Sequence, residues 1–182
     1  MKFCNQCGQS VELKIPDGDN RERHVCSHCN TIHYQNPNIV AGCLPVWEDK
    51  VLLCKRAIEP RHGFWTLPAG FMENAETLEQ AATRESVEEA NANLEITHLY
   101  TVISLPHVNQ IYMLYLAQLK DLNFSAGIES LDVKLFTEEQ IPWDNLAFRT
   151  IDFTLKRYFE DKKQNHFPLH SSFLEKHNRY QK

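Results

Sequence analysis

Apolar and polar positions along the chain change period several times, and each change marks a predicted element. Ile39 to Val46 and Val51 to Cys54 are apolar runs split by Glu48-Asp49-Lys50, the pattern of two strands joined by a hairpin turn. Cys43 and Cys54 fall inside these runs, where buried, inert thiols are expected. Leu94 to Leu105 and Gln110 to Leu119 alternate as two long strands joined by Pro106-His107-Val108-Asn109. Asp121 to Ser130 reads as a loop, and Leu131 to Phe136 as a further strand. After a break at Pro142-Trp143-Asp144, Leu146, Ile151, Leu155, Tyr158 and Phe159 predict an amphipathic helix from about Leu146 to Lys162. From about residue 165 the chain is polar and His-rich without clear periodicity; His166, His170 and His177 are expected to be solvated.

Residues 70 to 92 change character within one helix. From Thr77 onward the residues are good helix formers, with no Gly or Pro inside the run. Thr77 and Gln80 form a candidate capping box, with Asn74 a competing N-cap. Leu78, Ala81, Ala82, Glu85, Glu88 and Glu89 share one face, so a stripe that begins apolar ends in three carboxylates. Like charges at this spacing repel, and carboxylates near a core lose hydration. Two readings follow: a solvated acidic face, or a site where a bound cation removes both penalties.

The first 36 residues hold Cys4-x2-Cys7 and Cys26-x2-Cys29. Paired CxxC knuckles at this separation are the pattern of a four-thiolate zinc ribbon, with the metal stabilising a segment too small for its own core. Strand-like pieces at Val11–Ile15 and Arg21–Val25 flank the turn-forming Pro16–Asn20. His24, His28 and His33 are alternative ligands, but four cysteines already complete a tetrahedral shell, which makes the site structural.

Composition narrows the field further. At 182 residues, 42% hydrophobic, the chain suits one medium domain plus a small appendage. The net charge of −5 speaks against nucleic acid or an anionic membrane as a partner. Lys2, Lys14, Arg21 and Arg23 of the ribbon are offset by Glu12, Asp17, Asp19 and Glu22. The N-terminus shows no apolar signal region and no apolar run spans a bilayer, so a cytoplasmic protein is expected.

The spacing Gly70, five residues, Glu76, seven residues, Arg84-Glu85, two residues, Glu88-Glu89 matches the Nudix box G-x5-E-x7-R-E-U-x-E-E-x-G-U, where U is aliphatic. The chain resembles a Nudix hydrolase. Ser86 stands where an aliphatic residue is usual and Asn91 where Gly is usual; neither departure touches a carboxylate. The resemblance implies an α/β/α sandwich with a mixed sheet, preceded by the zinc ribbon. The expected division is 1–36 ribbon, 37–164 Nudix domain and 165–182 C-terminal tail. It also implies Mg²⁺ or Mn²⁺ held by Glu85 and Glu89, with Glu88 a third ligand or a base and the Gly70 carbonyl joining the shell. Arg84 is expected to pair with Glu76 and orient the helix, and Glu129 is the best-placed general base on a later loop.

The substrate implied is a nucleoside diphosphate linked to a second moiety. Arg56 and Arg61, from the polar loop before the box, are candidate phosphate contacts or solvated cations. Phe64 and Trp65 are candidates either for stacking on a base or for the core. His33-Tyr34-Gln35-Asn36-Pro37, Arg56 to Arg61, Trp65 to Glu73 and Trp143 to Phe148 resemble the zinc-ribbon Nudix branch grouped with ADP-ribose and FAD pyrophosphatases. Release of AMP from ADP-ribose or FAD is therefore the leading expectation, and Pro106, after the box, suits the ADP-ribose type. The alternative is an NAD(H) pyrophosphatase, whose marker S-Q-P-W-P-F-P-x-S is reduced here to Ser104 and Pro106. A third reading is a non-enzymatic module, nucleotide-sensing or nucleic-acid-binding, though such sensors usually lose box carboxylates. The ribbon would be structural, covering a substrate edge or a contact in a homodimer.

Overall fold

The computed structural model describes residues 1–176, so His177 lies outside the described residues. Two compact units divide at Pro37 and Asn38. The first is a three-stranded antiparallel sheet in the order β1 (Val11–Lys14), β2 (Arg23–Cys26), β3 (Ile32–His33). Asp19 organises the turn between β1 and β2 by accepting from the Asn20 N–H at 2.7 Å and pairing with Arg23 at 2.9 Å.

The second unit carries a mixed sheet. Its strands are β4 (Asn38–Trp47), β5 (Lys50–Arg56), β6 (Trp65–Thr66), β7 (Ala69–Phe71), β8 (Leu94–Leu105), β9 (Gln110–Leu119), β10 (Ser130–Phe136) and β11 (His170–Phe173). The main order is β10-β5-β4-β9-β8-β11, with β6 on β5 and β7 on β4. The β4–β9 and β8–β11 pairs are parallel and the others antiparallel.

Strand alternation sorts the apolar residues onto two faces. Leu52 and Cys54 of β5 and Tyr115 and Ala117 of β9 pack with Ala81 and Ala82 of helix α1 (Leu78–Ala90). Val51, Leu53, Leu114 and Leu116 pack instead with Ile151, Leu155, Tyr158 and Phe159 of helix α2 (Arg149–Gln164). One sheet between two helices is the α/β/α sandwich that the chain's resemblance implies. Cys43 and Cys54 are buried in it, and burial pushes the Cys43 thiol up to about 11.

Several details differ from the periodicity. Helix α2 begins at Arg149 rather than Leu146, because Leu146 bridges to Trp65 and the Ala147 N–H donates to the Trp65 carbonyl at 2.8 Å. The polar segment after residue 165 supplies β11, an edge strand on β8. Asp161 anchors it: His170 Nε2 lies 2.7 Å from Asp161 Oδ2, and the Tyr100 hydroxyl donates to the same oxygen at 2.6 Å. His170 is therefore half-buried rather than solvated. No helix of the described residues is long and apolar enough to cross a membrane.

Candidate active site

Helix α1 starts with the capping box anticipated: the Gln80 N–H donates to Thr77 Oγ1 at 3.2 Å, and the Thr77 N–H to Gln80 Oε1 at 2.7 Å. It ends at Asn91 in the left-handed region, φ 47°, where Asn is tolerated better than most residues. Asn91 Nδ2 also donates to Ser125 Oγ at 3.1 Å, which ties the 121–130 loop to the helix end. Ser86, at the position where an aliphatic residue is usual, is buried and satisfies its hydroxyl on the Ala82 carbonyl at 2.8 Å.

Arg84 spends all its donors on the box. Nε and Nη2 reach the two oxygens of Glu76 at 3.1 and 2.8 Å, and Nη2 also reaches the Phe71 carbonyl at 3.1 Å. Nη1 donates to Glu85 at 2.6 Å and to Glu88 at 3.1 Å. The planar fork thus binds the loop before the helix to two carboxylates on it. The hydrogen bonds from Arg84 hold the Glu76 carboxyl below its ordinary range.

Glu85 and Glu89 lie one turn apart, 8% and 5% exposed. Burial pushes Glu85 up despite Arg84, and pushes Glu89 up to about 8, with the Glu85 charge adding to it. The contact found for Glu89 is the Ala69 N–H at 3.3 Å, and it has no ion-pair partner within 4 Å among the described residues. Gly70 faces Glu85 so closely that a Cβ there would overlap the carboxylate. The three box carboxylates divide between partners, with Glu85 and Glu88 sharing Nη1 of Arg84 and Glu89 turned to the Ala69 N–H.

Glu129 sits on a loop docked against the helix end. The Gly127 N–H donates to the Glu89 carbonyl at 3.0 Å, and a Cβ at Gly127 would run into the Glu88 carbonyl. The Ala57 N–H donates to the Glu129 carbonyl at 2.8 Å, and the Glu129 charge contributes to the raised pKa of both Glu85 and Glu89.

The four residues expected to touch substrate separate. Arg56 is buried, donates through Nε to the Pro60 carbonyl at 2.9 Å and lies 5.2 Å from the Phe148 ring centroid. Its charge acts on Glu89, lowering a pKa that burial raises. Arg61 lies over the Phe64 ring at 5.3 Å. Trp65 takes the core side of its two readings: at 9% exposure it packs edge-on against Phe136 at 4.9 Å, in the core beneath α2, because β6 pairs with β5 and turns the indole inward.

Sequence reasoning passed over a cavity of about 600 Å³ beside the sheet. Tyr112, Trp143, Phe148, Arg149 and Arg61 contribute to its wall. Burial pushes the Tyr112 hydroxyl up, with the nearby charges of Arg56 and Glu89 acting on it in opposite directions. Trp143, Phe148 and Arg149 belong to the segment that opens α2, while Tyr112 on β9 and Arg61 on a loop join them only through tertiary packing.

In the first unit, the four sulfurs of Cys4, Cys7, Cys26 and Cys29 lie within 4.8 Å of one another, and are the one such group of His, Cys, Asp or Glu ligand atoms among the described residues. Cys4–Cys29 and Cys7–Cys26 approach to 3.6 and 3.5 Å. Tetrahedral thiolates at about 2.3 Å from Zn²⁺ stand about 3.8 Å apart, so this donor set fits zinc.

Comparison with known proteins agrees with the geometry. The Nudix N-terminal zinc-ribbon family matches residues 2–35, and the NUDIX domain matches residues 36–158. A protein of Vibrio vulnificus named NAD-capped RNA hydrolase NudC is 34% identical over 147 residues, 78% of this chain and 53% of the relative. The chain spans about half the length of the curated relatives it matches. The crystal structure of a NUDIX hydrolase from Nitrosomonas europaea is 58% identical, covers 97% of this chain and 100% of its own, and superposes with a TM-score of 0.94. An ADP-ribose pyrophosphatase of Streptococcus suis shares the fold at 19% identity, TM-score 0.59, covering 75% of this chain and 99% of its own. With its NUDIX match spanning most of the chain and a zinc ribbon ahead of it, the protein belongs to the Nudix hydrolase family.

Proposed function

We propose that this chain hydrolyses the pyrophosphate bond of a nucleoside diphosphate linked to a second moiety, with ADP-ribose and FAD as leading substrates and AMP as a product. The observation that carries it is Glu89: buried, one turn from Glu85, and without a cation partner among the described residues. A carboxylate so placed favours a divalent cation, and hard oxygen donors select Mg²⁺ or Mn²⁺. Glu85 and Glu89 would hold the ion, with Glu88 and the Gly70 carbonyl completing the protein's share. When bound, such an ion neutralises phosphate charge and acidifies a water.

The remaining roles belong to the chain's own residues. Arg84 positions the helix through Glu76 and restrains Glu85 and Glu88. Glu129, on a loop tied to the helix end, takes the proton of the attacking water. Arg56, fixed on Phe148, supplies a positive charge near Glu89 for the substrate's phosphates. The cysteine quartet would hold Zn²⁺ as a structural ion.

A second reading, cleavage of NAD(H) or of an NAD-capped RNA end, is favoured by the name of the Vibrio relative. The net charge of −5 speaks against general nucleic-acid binding, but not against recognition of a capped end. Release of AMP from ADP-ribose, FAD and NADH, compared with Mg²⁺ and with Mn²⁺, separates the readings. Preference for ADP-ribose or FAD supports the first and preference for NADH the second. Nucleotide binding without turnover of any supports a sensor.

A further inference from the structure

The turn that carries Glu129 has little packing to hold it. Glu129 is exposed and Ile128 beside it is 95% exposed, so the tip buries no side chain that would fix the carboxylate. Its place depends on hydrogen bonds. The Ser130 N–H donates to the Gly127 carbonyl at 3.1 Å, which closes residues 127–130 into a tight turn with Glu129 inside it. Whatever fixes Gly127 therefore fixes Glu129.

Gly127 is fixed by the C-terminal end of helix α1. The last carbonyls of a helix lack partners within it, and the loop supplies two. The Gly127 N–H donates to the Glu89 carbonyl at 3.0 Å and the Ser125 N–H to the Ala90 carbonyl at 2.9 Å. Asn91, the next residue, adds its side chain. Its Nδ2 lies 3.1 Å from Ser125 Oγ, 3.2 Å from the Ser125 carbonyl and 3.5 Å from the Ala126 carbonyl. Glycine, usual at this position of the box, adopts the left-handed turn at lower cost than asparagine, so the turn alone gives no reason for a side chain. A donor that meets three acceptors of the loop does.

We propose that Asn91 is a positioning residue: its side-chain amide latches the Glu129 turn onto the end of α1, and so holds Glu129 at a fixed place relative to Glu85 and Glu89 on that helix. A second hold comes from the end of β5, where the Ala57 N–H donates to the Glu129 carbonyl at 2.8 Å. The Glu129 charge raises the pKa of both Glu85 and Glu89, as a carboxylate kept near them does. With glycine at residue 91 the backbone bonds would remain and the latch would not. For its catalytic consequence the proposal rests on the reading of Glu129 as the base.

Asn91→Gly tests it, because glycine keeps the left-handed turn and removes only the side-chain amide. Amide hydrogen exchange at Ser125 and Gly127 is expected to quicken about three- to tenfold, the range for a lost hydrogen bond. With the substrate and metal ion that serve the parent best, kcat should fall about three- to tenfold at unchanged KM. That loss should disappear when Glu129→Gln is already present, since the two residues then act as one unit. Unchanged exchange at both amides overturns the latch. So does a normal kcat where Glu129→Gln slows the parent, or an equal loss in both backgrounds. Quicker exchange supports the latch even where Glu129→Gln turns over as fast as the parent, and the failure then falls on the base assignment. Where the parent hydrolyses nothing, exchange alone decides, and that failure falls on the pyrophosphatase reading. Asn91→Asp, which tolerates the same turn but cannot donate to the two carbonyls, serves if the glycine variant does not fold.

Discussion

The carboxylate of Glu85 lies against the Cα of Gly70, in space that any side chain at residue 70 would fill. Gly70 is in β7, paired with Ala41 of β4, so it cannot withdraw without breaking the sheet. Gly70→Ala should therefore displace Glu85 rather than the strand. Overpacking of this kind costs about 1–3 kcal/mol, and turnover is expected to fall at least about tenfold. Thermal melting and AMP release on the same preparation check both effects.

Arg84 binds Glu76, Glu85, Glu88 and the Phe71 carbonyl through one planar group. An ammonium cannot span that set, so Arg84→Lys should raise the Mg²⁺ concentration needed for half-maximal rate and lower kcat about tenfold or more. A variant with unchanged metal dependence would show that the fork only decorates the surface.

The Glu89 carboxyl, pushed up to about 8, predicts how stability varies with pH before a divalent ion is added. Its folded pKa lies above its unfolded value of about 4.3, so the stability it contributes is complete below that value. That stability is lost as pH rises toward 8. A cation at Glu89 competes with the proton and removes the penalty. The rise in melting temperature on adding Mn²⁺ should therefore be larger at pH 8 than at pH 6, read by calorimetry without a chelator, which would also strip zinc. Equal shifts at both pH values would contradict the prediction.

For the cysteine quartet, the expected metal content is about one zinc per chain. Cys26→Ser should remove most of it and unfold the first unit, because metal binding and folding are coupled in segments of this size. Elemental analysis with circular dichroism tests both halves.

The Tyr100–Asp161–His170 cluster ties β11 to α2 and β8. Asp161→Asn should cost about 1–3 kcal/mol and speed hydrogen exchange at residues 170 to 174 before it affects the core. Uniform acceleration throughout the second unit would point to global destabilisation instead.

The box was legible in the sequence because its parts lie on one helix and the loop before it. Spacing alone puts Glu85 and Glu89 on one face, Thr77 at the cap and Asn91 at the left-handed turn. The long strands were legible from their alternation. Trp65 and β11 were not. An aromatic residue beside a loop reads equally as core or platform until β6 pairs, and His170-Ser171-Ser172-Phe173 has no strand signature apart from its partner β8. The cavity wall is harder still, because Tyr112, Phe148 and Arg61 meet through tertiary packing.

Glu85 and Glu89 would hold the divalent ion that supplies the chemistry of pyrophosphate cleavage, and Glu89→Gln removes one of the two ligands. With Mg²⁺ or Mn²⁺ and the best substrate of the parent protein, the variant should bind nucleotide normally and release AMP at least about a hundredfold more slowly. Turnover as fast as the parent's would contradict the claim.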